Sequence, residues 1–273
     1  MMGINASRAV SPTLLHGLVG AWCPSLGPSG YTLFDRSGRG HHGTLTNMDA
    51  GSDWVGTPGG WAIDFDGTND YIPVSTGNWA SLVSPSLLLT ISVWVLFRST
   101  SRQSLFADWS SSGGQESLRF EMSGYNIPTG YVGGNILRIG AQSPIITPTA
   151  VPVNQWHHFV VQRTPSGERL FWNGATAASN SSAVNSAWLN HTAAIGRAGD
   201  YPAFYCNALV GDVGLWNRDI TEAEAKLIYK LGRGGLGRLL TQRAQRRVFR
   251  TQATAVKPYL FLHRGQVIGG GIR

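Results

Sequence analysis

Carboxylates, histidines and cysteines are where chemistry would show first. Cleaving a glycosidic bond takes two carboxylates at a set separation. The glutamates are Glu116, Glu121, Glu168, Glu222 and Glu224, and none falls in an E-x-D-x-E pattern. Asp64 and Asp66 are two apart, but Asp66 opens an Asp-Gly turn and is expected to bond its own turn backbone. His157 and His158 are neighbours on a predicted strand, so they point to opposite faces and make a poor metal pair. They are read as framework, as are His41 and His42 in a glycine-rich loop. No serine stands in a G-x-S-x-G context. Gly232–Gly237 lacks the strand and the lysine-serine of a phosphate loop. Cys23 and Cys206 are too few for a disulfide framework or a zinc pattern, and are expected as buried free thiols.

Aromatic side chains in loops could bind a ligand by stacking. Trp109, Tyr125, Tyr131, Trp188, Tyr201 and Tyr205 fall in or near predicted loops. Tyr201, Tyr205 and Trp109 are taken as candidate ligand-binding residues. Trp61, Trp94, Trp156, Trp172 and Trp216 fall in predicted strands and are expected in the core.

The net charge of +7 is unevenly spread. Ten of the 22 basic residues lie in 230–273, which holds no Asp or Glu. The other 12 face 15 acidic residues, leaving residues 1–229 at −3. A basic tail implies a partner. Arg243, Arg246, Arg247 and Arg250 interleave with apolar residues, and Tyr259 and Phe261 lie in a strand-like run that could add to a neighbour's sheet edge. These six are the candidate partner-binding residues.

The elements that must position such residues are short strands. The chain has 273 residues, 35 glycines, 10 tryptophans and only 14% charged residues, which suits strands and tight turns. Leu88–Phe97 is a nearly continuous apolar run and predicts a strand buried on both faces. Trp156–Arg163 and Glu168–Trp172 flank TPSG and predict a hairpin. The one predicted helix is Glu222–Lys230, where Thr221 and Glu224 stand as a capping box. About a dozen strands predict an all-β, two-sheet antiparallel sandwich with one short C-terminal helix. Residues 1–16 read as an arm, 17–229 as the sandwich, and 230–273 as an extended basic arm. The N-terminus lacks the regions of a signal peptide, and no apolar run reaches membrane-spanning length.

Several motifs, in order, resemble the laminin-G-like, concanavalin A-like jelly-roll family of bacterial and bacteriophage proteins. They are GLVGAW at 17–22, DRSGRGHHGTL at 35–45, IDFDGTNDYIPV at 63–74 and TISVWV at 90–95. QWHHFVV at 155–161, LFWNGA at 170–175, AIGR at 194–197 and GDVGLWNRDITEAEAKLIY at 211–229 follow. The resemblance implies a jelly roll with ligand loops along one edge. The family often carries a calcium-holding acid where this chain has Gly211. Asp35 and Asp212 remain as possible calcium ligands, short of the six to eight oxygens calcium takes; no other cofactor is implied.

The expected function is a non-enzymatic structural and binding protein. The first reading is a bacteriophage virion component, a capsid decoration or accessory fibre protein, docked through 230–273 onto neighbouring virion subunits (capsid protein or its own oligomer). Its sandwich would project outward and bind a surface glycan, without nucleic acid or membrane as partner. The alternative is an extracellular bacterial carbohydrate-binding or adhesion module.

Overall fold

The computed structural model describes residues 13–75, 88–109, 118–124, 126–136, 144–181 and 191–241. Two antiparallel sheets stack face to face. The larger contains β1 (Leu18–Trp22), β4 (Trp54–Thr57), β5 (Gly60–Asp66), β7 (Leu89–Phe97), β12 (Trp156–Thr164), β13 (Gly167–Trp172), β14 (Ala175–Asn180) and β16 (Asn207–Trp216). Its order is β14-β13-β12-β7-β16-β5-β4, with β1 also paired to β16. The second contains β6 (Ile72–Ser75), β8 (Gln103–Ala107), β9 (Leu118–Met122), β10 (Val132–Ile136), β11 (Ile145–Ile146) and β15 (Ala193–Ile195). Its order is β11-β10-β9-β8-β15-β6. Two short strands, β2 (Thr32–Leu33) and β3 (Gly43–Thr44), pair separately.

Strand alternation builds the core. Leu89, Ile91, Val93, Val95 and Phe97 of β7 face Leu118, Phe120 and Met122 of β9 in one buried cluster. The other face of β7 carries Thr90, Ser92 and Trp94, also buried. The apolar run was therefore a strand covered on both faces, as its composition predicts. The second cover is a smaller cluster that includes Leu14, Val160, Phe171, Trp216, Ile228 and Leu236. The β12–β13 turn closes at Thr164 opposite Gly167. Gly167 has φ +147, and a Cβ there would sit 1.8 Å from the Asn180 carbonyl oxygen, so only glycine fits.

Helix α1 (Glu222–Leu231) carries the predicted capping box in full. Arg218 also forks onto Glu224, at 2.6 and 3.0 Å. Burial would raise the Glu224 pKa, but the Arg218 and Thr221 hydrogen bonds outweigh it and hold the carboxyl below its usual range.

The body is larger than the 17–229 span expected. At its start, Leu14 is fully buried and its carbonyl accepts from Trp216 Nε1 at 2.6 Å. At its end, residues 235–241 are helical, where the glycine-rich sequence suggested only an arm. Leu236 is buried there, and the Gly237 N–H donates to Asp212 Oδ2 at 3.0 Å. The packed unit closes at Leu240. Residues 242–273, and with them Arg243, Arg246, Arg247, Arg250, Tyr259 and Phe261, lie outside the described residues.

Candidate aromatic loop site

Trp109 follows β8, and Tyr201 to Tyr205 lie in the loop between β15 and β16. That loop runs along β8 and is bonded to it at both ends. The Asp200 N–H donates to the Trp109 carbonyl at 2.7 Å, and the Ser104 N–H donates to the Phe204 carbonyl at 2.8 Å. The approach is close enough to require glycine at 199. Its φ is +57, and a Cβ would sit 2.5 Å from the Trp109 nitrogen. Asp200 ties the loop further by accepting from the Thr192 N–H at 3.0 Å.

This path gathers three rings. Trp109 stacks on Tyr201 at 5.2 Å between centroids and on Phe204 at 5.7 Å, each at 24°. Tyr201 and Phe204 are 5.9 Å apart. The Arg102 guanidinium lies 3.5 Å over the Phe204 ring, a cation–π contact that fixes the ring face. Arg102 also pairs with Glu121 at 3.2 Å, and Glu121 is fully buried. Asp200 is spent on Thr192, and the Arg197 Nε donates to the Gly199 carbonyl at 2.8 Å. The charges at the site are thus answered within the fold. All three rings are half-buried, which leaves ring surface open to a flat apolar face.

Of the predicted ligand residues, Trp109 and Tyr201 come together. Tyr205 makes no ring contact with them among the described residues. Phe204 and Arg102 were missed by sequence reasoning. The YPAFY run was a usable signal for Phe204; Arg102 had none, because its contact depends on the loop's path.

The structure gives the other candidates framework roles. Asp35 accepts from the Ala21, Ser37 and His41 N–H groups and from the Ser37 hydroxyl, at 2.8–3.1 Å. It ties the β2–β3 loop to β1. Asp212 is buried and accepts from the Ser25 and Gly237 N–H groups at 3.3 and 3.0 Å. Both carboxylates are committed to donors, and the described residues contain no group of three or more His, Cys, Asp or Glu set to hold a metal. The two possible calcium ligands act here as loop ties. Trp61 is corrected too: it is 39% exposed on β5, next to the edge strand, while Trp94 and Trp216 are buried and Trp156 and Trp172 half-buried.

The remaining acids and histidines follow the sequence reading. Asp66 accepts from the Thr68 N–H in its own turn at 2.7 Å. Asp64 receives both guanidinium nitrogens of Arg98 at 2.6 Å. His157 accepts from Trp172 Nε1 and faces the Pro152 carbonyl through Nε2, at 3.1 and 2.9 Å. One nitrogen accepts and the other donates, which is the neutral ring. His158 bonds the Ser92 hydroxyl at 2.8 Å, and burial pulls its pKa down to about 3. Cys23 and Cys206 are buried and free.

The architecture and its loop end define a β-sandwich of lectin type. Residues 66–226 match the concanavalin A-like lectin/glucanase superfamily, and the chain belongs to it. No curated protein sequence matches the chain. Among solved structures it is similar to a Trypanosoma rangeli sialidase in complex with 2,3-difluorosialic acid. That match has 14% identity and a TM-score of 0.58, over 79% of this chain and 33% of the sialidase chain. The receptor-binding domain of a botulinum neurotoxin C/D mosaic serotype matches at 12% identity and TM-score 0.57, over 80% of this chain and 52% of that one. The chain spans about a third of the sialidases it matches, and these likenesses speak for the fold alone.

Proposed function

We propose that the chain is a non-enzymatic carbohydrate-binding protein whose sugar packs on Trp109, Tyr201 and Phe204. The supporting observation is the stacked, half-buried trio of Trp109, Tyr201 and Phe204, with Arg102 lying over the Phe204 ring. A pyranose offers a flat C–H face that suits such rings. The two closely spaced carboxylates are engaged elsewhere: Asp64 on Arg98 and Asp66 on its turn. That supports binding without bond cleavage.

The test is a glycan array with the full chain, followed by titration of the best ligand. Tyr201→Ala should lower affinity by about tenfold or more, the loss of one stacked ring, with an unchanged unfolding midpoint. Full affinity in Tyr201→Ala and Trp109→Ala would place the sugar elsewhere. Release of reducing sugar from any bound glycan would overturn the non-enzymatic part.

A finer reading makes the chain a component of a bacteriophage particle, anchored by its basic segment. The charge of residues 230–273 is its support. Cross-linking mass spectrometry on native particles tests it: links from that segment to a repeating subunit support it, and links confined to its own sandwich reject it.

A further inference from the structure

One edge of the larger sheet is strand β4, and no strand pairs with its outer side among the described residues. On its inner side Val55 pairs with Ala62 and Thr57 with Gly60, in step with the bond from the Asp64 N–H to the Asp53 carbonyl. Alternation along an antiparallel ladder then turns the N–H and C=O groups of Trp54 and Gly56 outward. Unpaired edges of this kind template further pairing unless something blocks them. β4 is short and is followed by Pro58, but the strand itself carries no lysine, proline or bulge, and a Cβ at Gly56 would meet open space.

Exposed apolar side chains also stand beside this edge. Among the described residues Trp61 of β5 is 39% exposed, and Leu26, in the turn packed on β5, is 36% exposed. Trp61 stands opposite Gly56 on the neighbouring strand and packs 3.9 Å from where a Gly27 Cβ would be. Gly56 places no side chain between the Trp61 ring and the edge. Grouped apolar exposure beside an open strand marks an interaction surface.

We propose that the occupant is a second copy of this chain, joined edge to edge through β4 in antiparallel register about a two-fold axis at Val55. In that register Trp54 stands opposite Gly56 of the second copy, and the outward groups of each close four main-chain hydrogen bonds. The pairing also sets Asp53 opposite Thr57 of the second copy. Arg233 bonds that Thr57, with Nη1 donating to Oγ1 at 2.9 Å. Within one chain Asp53 accepts from the Asp49 N–H and the Ser52 hydroxyl, and Arg233 lies over the Trp156 ring at 4.3 Å, but neither has an ion-pair partner among the described residues. Asp53, Thr57 and Arg233 lie on one face of the sheet, so each two-fold contact brings an acid to a base, twice. Charge complementarity favours a copy of the same chain: an isologous interface must satisfy itself, and this register sets no like charges opposite each other.

The test uses the full chain. Residues at the two-fold of a non-hydrogen-bonded pair have Cα atoms about 4.5 Å apart, within disulfide reach. Val55→Cys should therefore form a disulfide-linked dimer under mild oxidation, since Cys23 and Cys206 are buried and do not compete. Thr57→Cys places its partners about 13 Å apart by strand rise and should stay unlinked. In sedimentation velocity, the unmodified chain should run at twice 29.4 kDa at high concentration. Asp53→Lys or Arg233→Glu alone should weaken the dimer about tenfold or more, and the double swap should restore most of that loss. A monomer at every concentration overturns the proposal. So does a dimer that Val55→Cys fails to link, or a double swap no better than either single variant. Circular dichroism of each variant separates lost pairing from lost folding.

Discussion

Asp212 is an ionisable group that the fold holds against solvation. Burial is the main influence on it and raises its pKa to about 6 from 3.8, opposed by hydrogen bonds from Ser25 and Gly237 and by the charge of Arg238. Between those two values the folded protein keeps the proton and the unfolded chain has released it. Stability therefore falls as pH rises through that window, and the deficit persists above pH 6. A shift of about two units corresponds to about 3 kcal/mol at neutral pH. Asp212→Asn keeps the shape of the side chain and cannot ionise. The stability difference between variant and parent should move in the variant's favour by about 2–3 kcal/mol from pH 4 to pH 7. The assay is urea unfolding followed by tryptophan fluorescence at both pH values. His158 has its pKa lowered to about 3 by burial, so its contribution grows as pH rises from about 3 to 6.5. Asp70 is raised to about 6, mainly by burial. Both act alike in the two proteins and cancel in the difference. A difference that stays flat with pH, or moves toward the parent, would refute the reasoning that Asp212 bears a net burial cost.

Further perturbations test the packing. Phe120 is fully buried and meets Phe159 edge to face at 6.3 Å; Phe120→Ala should cost about 3–5 kcal/mol in urea unfolding. Thr221→Ala removes the capping box and should cost about 1 kcal/mol by the same measurement. A chain ending at Leu240 should keep the sandwich's unfolding midpoint in buffer of fixed salt. A chain ending at Tyr229 loses the buried Leu236 and the Gly237 bond to Asp212, and should unfold at clearly lower urea. Equal midpoints would return the boundary to 229.

Features held by neighbours in sequence were legible. The Thr221–Glu224 box, the Asp66 turn, the 164–167 hairpin and the two-sided β7 each rest on residues a few positions apart. Their physics is local, so composition and spacing suffice. Trp61 misled for a geometric reason. It shares a strand face with the buried Ile63 and Phe65, yet lies opposite Gly56, where the core gives out and leaves the ring 39% exposed. Residues 235–241 misled through their glycines. The compensating signal was present, since Leu236, Leu239 and Leu240 fall at helical spacing and pack on the second cluster.

The aromatic site shows where such reading stops. Tyr201 and Trp109 are far apart in the chain, and no spacing rule joins them. What joins them is the order of the second sheet, which sets β15 beside β8 with Ile195 opposite Phe106. The loop leaving β15 must reach β16 in the other sheet, and it does so along β8. Gly199 lets it touch the Trp109 backbone, and Phe204 takes a left-handed turn at φ 59 to send its ring under Arg102. A ring pair assembled this way is set by sheet order first and by loop backbone second. Substituting Gly199 should therefore disturb the site more than the fold: Gly199→Ala forces the loop off Trp109 while both strands keep their partners. Ligand binding, not the unfolding midpoint, is where that change should be read.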